Sequence, residues 1–328
     1  MPDEPGSLGA VAARRGGRIG GSGQMDELQV GDARVARLVE FSAPVGLSTG
    51  EFFPGSDPAL WQEASDWLVP DFVGPDGQVR TAVQTWVVRS EGKVVLIDTG
   101  LGNDKERPYV PVWSRYSSDY IERLAALGVA VADVDVVVNT HLHLDHVGWN
   151  TRLDGRDWVP TFPNATYYVH RADYEFWDPQ GPHVPGFGRG NQNAFEDSVA
   201  PVAAAGQLQV WDGERHRIDA SLTLCLAAGH TPGSAVVTLQ SAEESALFAG
   251  DLLHSPLQVS QPHLASCFCE DPARASATRE RFLADAADRR SLILPAHFRG
   301  TGAPRITRRD GRPAIDGWEP IRTSTVTG

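Results

Sequence analysis

Residues 141–146 read His-Leu-His-Leu-Asp-His, which places four potential metal ligands (His141, His143, Asp145 and His146) in six positions. Imidazole nitrogens and a carboxylate at that density suit zinc, which accepts nitrogen and oxygen donors. Only ten histidines occur in 328 residues, so three of them beside an aspartate are not the chance content of a polar turn. His141 and His143 alternate with Leu142 and Leu144, and an extended or loop backbone would send both imidazoles to one side. Asp145 and His146 break the alternation and must point elsewhere. One short turn can therefore serve two adjacent metal positions.

The hexapeptide follows Val134-Asp135-Val136-Val137-Val138, a β-branched run that reads as a buried strand. Three later segments also deliver a polar residue from a strand end. They are Ala228-Gly229-His230-Thr231-Pro232-Gly233, Phe248-Ala249-Gly250-Asp251 and Pro295-Ala296-His297. A lone histidine after a strand is more often a hydrogen-bonded structural residue than a ligand. Their joint presence, in this order after the hexapeptide, points to one site.

Hairpins are expected at 27–30 with 34–41, around Gly31-Asp32, and at 81–89 with 93–97, around Ser90-Glu91-Gly92. A helix over 118–127 would stop at Gly128. A strand at 167–169 and a short helix at 172–177 precede a Gly-, Pro- and Asn-rich loop over 178–195, expected to act as a lid or binding loop. Further strands are expected near 207–211, 222–227, 234–239, 246–249 and 291–294. The last follows an amphipathic helix with Asp271 as N-cap and Pro272 at its first position. Two strand-rich halves, each with a helix, suggest two sheets face to face with helices outside. Residues 1–24 are Gly-rich and expected to be disordered, 25–305 to form one domain, and 306–328 to be a strandless Arg/Pro/Gly-rich tail. Met25, directly before the first strand, is a candidate start.

The 41% apolar and 22% charged fractions are those of a globular protein. No stretch nears 18 consecutive apolar residues, so no membrane span is expected. A formal charge of −13 argues against nucleic acid or an anionic membrane as partner. Arg14-Arg15 lacks a following apolar run, and the odd set Cys225, Cys267 and Cys269 fits no four-thiolate zinc site. A cytoplasmic setting is expected, with the cysteines as packing residues.

The order H-x-H-x-D-H, His230, Asp251, His297 resembles the signature of the metallo-β-lactamase superfamily, over about residues 26–300. The resemblance implies an α/β fold, an αββα sandwich of two mixed sheets with helices outside. It implies two zinc ions (Zn2+): His141, His143 and His230 would hold one, and Asp145, His146 and His297 the other. Asp251 would bridge them, and Asp98, in Leu96-Ile97-Asp98-Thr99-Gly100, would support the metal loop by hydrogen bonding. Water shared by two such ions has its pKa lowered toward ~7. The expected function is a dinuclear zinc hydrolase that uses a bridging hydroxide on a small, mostly apolar ester-like substrate (lactone, aryl ester or phosphotriester). Asp145, Asp251 and His254 are its candidate catalytic residues. Alternatives are a hydrolytic dehalogenase of chlorinated aromatics, an iron-dependent thiol-oxidising member and a non-catalytic metal binder.

Departures narrow the branch. Asp251 stands where penicillin-destroying members commonly have cysteine, and His143 where flavodiiron members have glutamate. About thirty residues follow His297, too few for the helical domain of glyoxalase-II-like thioesterases. His146-Val147-Gly148-Trp149-Asn150 and Trp158-Val159-Pro160-Thr161-Phe162-Pro163-Asn164 resemble the group of chlorothalonil dehalogenase, methyl-parathion hydrolase and acyl-homoserine-lactone lactonases. His254 stands where the lactonases carry a tyrosine, and a histidine there could donate a proton to a leaving group. Trp149, Trp113 and Phe298 are the expected pocket walls, and exposed aromatic loops would favour a homodimer.

Overall fold

The computed structural model describes residues 24–181, 191–300 and 302–325. The Gly-rich segment lies outside them except for Gln24, as does the middle of the 178–195 loop. Seventeen strands lie among the described residues. The first half holds β1 (Gln24–Val30), β2 (Ala33–Ser48), β3 (Gln78–Ser90), β4 (Lys93–Ile97), β5 (Val136–Val138), β6 (Thr151–Asp154), β7 (Asp157–Pro160) and β8 (Thr166–His170). The second half holds β9 (Leu208–Trp211), β10 (Arg215–Arg217), β11 (Leu222–Leu226), β12 (Ala235–Ser241), β13 (Glu244–Gly250), β14 (Leu292–Pro295), β15 (Gly302–Arg309), β16 (Arg312–Pro320) and β17 (Arg322–Thr325).

They form an eight-stranded sheet, β17-β1-β2-β3-β4-β5-β8-β9, and a seven-stranded sheet, β10-β11-β12-β13-β14-β15-β16; β6 and β7 pair separately. Both large sheets are mixed: β4, β5, β8 and β9 run parallel, as do β13 and β14.

Period-two alternation builds the layers. Trp86, Val88, Val95, Ile97, Val136 and Val138 of the first sheet share one buried core with Leu224, Val237, Phe248 and Leu294 of the second. Their neighbours Leu96 and Val137 face outward and are covered by Tyr120 and Leu124 of the helix Tyr120–Ala126. Val236, Leu247 and Ile293 are covered likewise by Phe282, Leu283 and Ala286 of the helix Pro272–Arg289. The arrangement is the expected αββα sandwich. The second helix starts as its sequence indicates, with Asp271 accepting from the Arg274 amide at 2.9 Å and proline in the first turn. No helix among the described residues is long and apolar enough to cross a membrane.

The expectation of a strandless tail after residue 305 is corrected. β15 and β16 form a hairpin at the edge of the second sheet, and β17 adds to the first sheet beside β1. Asp310 and Gly311, at φ 51° and 76°, make the two-residue turn that an Asp-Gly pair favours between strands. Ala303, Pro304 and Ile306 of this hairpin are buried, while Arg308, Arg309 and Arg312 lie toward solvent, as suits an edge.

Direction places the chemistry. β11 and β13 are both antiparallel to β12, so they point the same way, and β14 is parallel to β13. Asp98, His141, His230, Asp251 and His297 all follow the C-terminal ends of strands.

Candidate metal centre

The hexapeptide is shaped by Asp98. This residue follows β4 in left-handed backbone (φ 58°), and its amide donates to the Val138 carbonyl at 2.8 Å. Its carboxylate accepts from the Thr140 amide, the Thr140 hydroxyl and His146 Nδ1, each at 2.8 Å. Leu142 and Leu144 turn into a buried cluster with Val147 and Val169, which leaves the histidines on the other side of the turn. Gly148 is required by close approach: a Cβ there would lie 1.9 Å from the Leu101 carbonyl carbon.

Hydrogen bonds between the two sheets set the other loops against this one. Ala235 N donates to Thr140 O at 2.7 Å, and Ala82 N to His297 O at 3.1 Å. Gln84 Nε2 and Trp86 Nε1 both donate to Pro295 O, at 2.8 and 3.1 Å. Asp173, fully buried, accepts the Leu142 amide (3.0 Å) with one oxygen and the Gly233 amide (2.7 Å) with the other, tying the hexapeptide to the His230 turn.

The seven expected ligands converge. His143 Nδ1 lies 2.9 Å from His141 Nε2 and 3.0 Å from His230 Nε2. Asp251 Oδ2 lies 3.1 Å from His230 Nε2 and 3.7 Å from His141 Nε2. The other oxygen, Oδ1, lies 3.3 Å from His146 Nε2 and 3.0 Å from His297 Nε2. Asp145 completes the second set at 3.7 Å from both His146 Nε2 and His297 Nε2. Each set could hold a metal ion, and Asp251 turns one oxygen toward each. At 14% exposure the Asp145 side chain is the most open of the seven, so solvent meets the centre on its side.

The donor set fits cations. His146 Nδ1 and His297 Nδ1 are turned to oxygen acceptors, Asp98 and Ala82 O (2.8 Å each), so their Nε2 lone pairs are presented inward. His146 Nε2 and Asp251 Oδ1 are buried and make no hydrogen bond among the described residues. Such orphaned acceptors are costly unless a cation satisfies them. Burial would lift the Asp251 carboxyl, but the surrounding imidazoles, His297 and His146 foremost, outweigh it and hold it well below the usual carboxylate range. Burial also opposes charge on His146 and His230. Asp251 outweighs it in both, aided at His146 by Asp145 and Asp98, and each imidazole is raised to about 10. Protons gather where positive charge is wanted, and a bound metal ion would displace them.

Residues 79–297 match the profile described as the metallo-beta-lactamase superfamily, two thirds of the chain. The chain belongs to that superfamily. It is 32% identical over 124 residues to the N-acyl homoserine lactonase AttM of Agrobacterium fabrum, a stretch covering 34% of this chain and 38% of that protein. The chain thus spans under two fifths of that lactonase's length. The hydrolase AbOPH, described as in the beta lactamase superfamily, superposes with a TM-score of 0.73 at 26% identity, over 91% of this chain and 98% of its own. AidC, a dizinc quorum-quenching lactonase, shares the fold at TM-score 0.70 and 19% identity, over 92% and 98%.

Two expected pocket walls of this superfamily member are corrected. Trp149 enters the outer core layer: it stacks on Tyr120 (5.1 Å, 15°), and its Nε1 donates to buried Glu40 at 2.8 Å. Phe298 packs against Phe72 (5.5 Å) in the core beneath the helix Pro272–Arg289. Trp113 is half-buried, edge-on to Phe41 at 6.0 Å, and packs on the cluster containing Leu142 and Leu144. Among the described residues, Trp177 lies 5.1 Å from His143 and Phe52 lies 5.6 Å from His254, both buried. Neither is near a ligand in sequence, and no pattern in the chain marks them.

His254 is buried, with Nε2 3.1 Å from Asp251 Oδ2 and its ring stacked on His297 (5.5 Å, 21°). Burial draws its imidazole down to about 4 despite Asp251, so it is a neutral neighbour of the bridging carboxylate. The cysteines are not all bystanders, because Cys269 Sγ lies 3.7 Å from His230 Nδ1.

Glu40, also unforeseen, accepts from the Leu101 amide (2.7 Å) and Ser118 (2.7 Å) and holds the loop after Asp98; burial lifts its carboxyl above the ordinary value. Asp98→Ala should weaken binding at the His146 side by about 10–100-fold, because the imidazole loses its orienting acceptor. Competition of zinc with a chromophoric chelator measures this, and unchanged affinity would contradict the role.

Proposed function

We propose that the protein is a dinuclear zinc hydrolase acting on a small, mostly apolar ester-like molecule, with a lactone the first candidate and aryl esters and phosphotriesters next. The carrying observation is Asp251, whose two oxygens face two separate donor sets. His141, His143 and His230 would hold one ion, Asp145, His146 and His297 the other. Bound there, two zinc ions supply Lewis acidity and a water whose pKa is lowered to about 7.

The chain's own residues do the rest. Asp98 and the Ala82 carbonyl hold His146 and His297 in one tautomer, so their protons stay away from the reacting face. Asp145, nearest to solvent, marks the side on which substrate arrives. His254 sits beside Asp251 and can steady that carboxylate by donating from Nε2. Trp177 packs on His143 and Phe52 on His254, so buried apolar rings surround the centre, which suits an uncharged substrate. A lactone is favoured because a relative 32% identical over 124 residues, 34% of this chain, is an N-acyl homoserine lactonase. The charge of −13 favours a small neutral molecule over nucleic acid as partner.

The test is a turnover screen of zinc-loaded protein on lactones, aryl esters, phosphotriesters and chlorinated aromatics. Zinc-dependent hydrolysis of a member of the first three classes is expected. Stoichiometric redox-active iron with no hydrolysis would overturn the reading, and turnover of chlorinated aromatics alone would reassign the substrate.

A further inference from the structure

His141, His146 and His297 each turn Nδ1 to an oxygen: Thr140 Oγ1 at 3.1 Å, Asp98 Oδ2 at 2.8 Å and the Ala82 carbonyl at 2.8 Å. His230 differs, since its Nδ1 faces sulfur, 3.7 Å from Cys269 Sγ. The segment that carries Cys269 is seated on the His230 turn. Glu270 N donates to His230 O and Asp271 N to Gly229 O, both at 2.9 Å. Cys269 is itself fixed, with its amide donating to Ser266 O at 3.1 Å and Ser266 Oγ 3.5 Å from its sulfur. Gly229 closes the joint from the other side: a Cβ there would lie 2.2 Å from the Ala275 amide in the first turn of the helix Pro272–Arg289. Cys267, two residues earlier, is exposed, so the two thiols are in different surroundings.

An imidazole that ligates through Nε2 carries its proton on Nδ1 and needs an acceptor there. Sulfur accepts weakly, but here it is held in line by backbone hydrogen bonds on both loops. We propose that Cys269 is a positioning residue of the metal centre: its sulfur accepts the Nδ1–H of His230 and so fixes the tautomer and ring orientation that turn Nε2 toward the ion shared with His141 and His143. The proposal rests on the dinuclear reading above. It assigns the cysteine to one ion, because the ligands of the other, His146 and His297, are oriented by oxygen atoms elsewhere.

The experiment is a Co2+ titration of metal-free wild-type, Cys269→Ala, Cys269→Ser and Cys267→Ala proteins, read by d–d absorption and by competition with a chelator. Wild type should bind two ions. Cys269→Ala should bind one ion about 10–100-fold more weakly and the other almost unchanged, as loss of an orienting partner does. Cys269→Ser keeps an acceptor and should recover part of the loss, and Cys267→Ala should match wild type. A merely structural cysteine would lower the melting temperature of metal-free protein and leave both affinities alone. Equal affinities in Cys269→Ala and wild type would overturn this inference only; failure of wild type to bind two ions would overturn the dinuclear reading and this inference with it.

Discussion

Asp251→Ala should lose at least one metal ion per chain and nearly all turnover, on the order of a thousandfold or more, equivalent to about 4 kcal/mol of barrier. The size follows from how much converges on one carboxylate. Oδ2 serves the His141–His143–His230 set and Oδ1 the Asp145–His146–His297 set, so removing the side chain opens both at once. It also removes the anion that offsets positive charge in a pocket lined by buried imidazoles. No nearby anion can take its place: His254 is neutral, and Asp145 already lies in the second set. Asp251→Asn retains one carbonyl oxygen without charge and should keep one ion weakly. Elemental analysis of dialysed protein and kcat/KM on the best substrate of the screen measure both effects. Wild-type metal content in Asp251→Ala would rule out the bridge.

The metal-binding segments were legible because the chemistry restricts residue type and the fold restricts position. Histidines and aspartates at the ends of apolar strands are few, and strand ends on one rim must meet once the sheets pair. The core strands were legible for a similar reason: Val95-Leu96-Ile97 and Val136-Val137-Val138 are apolar on both faces because a layer covers each side.

The errors arose where side chains meet across long separations. Trp149 follows the metal loop in sequence, yet the 3-10 turn Gly148–Asn150 carries it into the outer layer, where Glu40, 109 residues away, accepts a hydrogen bond from its indole N–H. Trp177 and Phe52 reach the donors from elements with no sequence tie to them. Asp173 reads as an ordinary acid in an amphipathic helix, and only the structure shows it bonding two loops. The final strands are not legible in the sequence because an edge hairpin tolerates the Arg, Pro and Gly that otherwise argue against a strand.

Asp197→Ala should cost about 3–5 kcal/mol of stability, since it leaves buried cations without their anion. Asp197 lies on the helix Ala194–Ser198, and two cations from the loop after Asp98 close on it. Arg107 grips it through two nitrogens, at 2.6 and 3.0 Å, and Lys105 Nζ lies 3.6 Å from Oδ1. Both cations are almost fully buried, and Arg107 Nε makes no hydrogen bond among the described residues even with Asp197 present.

The loss should depend on pH with a definite sign. Burial draws the Lys105 ammonium down to about 7, whereas a guanidinium stays charged. At pH 6 wild type pairs a largely charged Lys105 with Asp197, and the variant, lacking the anion that raises it, must strand or deprotonate it; at pH 9 Lys105 is neutral in variant and wild type alike, and only Arg107 is stranded. Destabilisation should therefore be larger at pH 6 than at pH 9, and urea unfolding at the two pH values measures it. Asp197→Asn, which keeps an acceptor, should fall between. The consequence should also reach the metal loop, because the same segment sends Asn191 Nδ2 to the Leu142 carbonyl at 2.9 Å and Asn193 Nδ2 to the Glu106 carbonyl at 3.2 Å. A variant as stable as wild type at pH 6 would show that Lys105 and Arg107 reach water when Asp197 is gone, and that the clamp does not hold this loop in place.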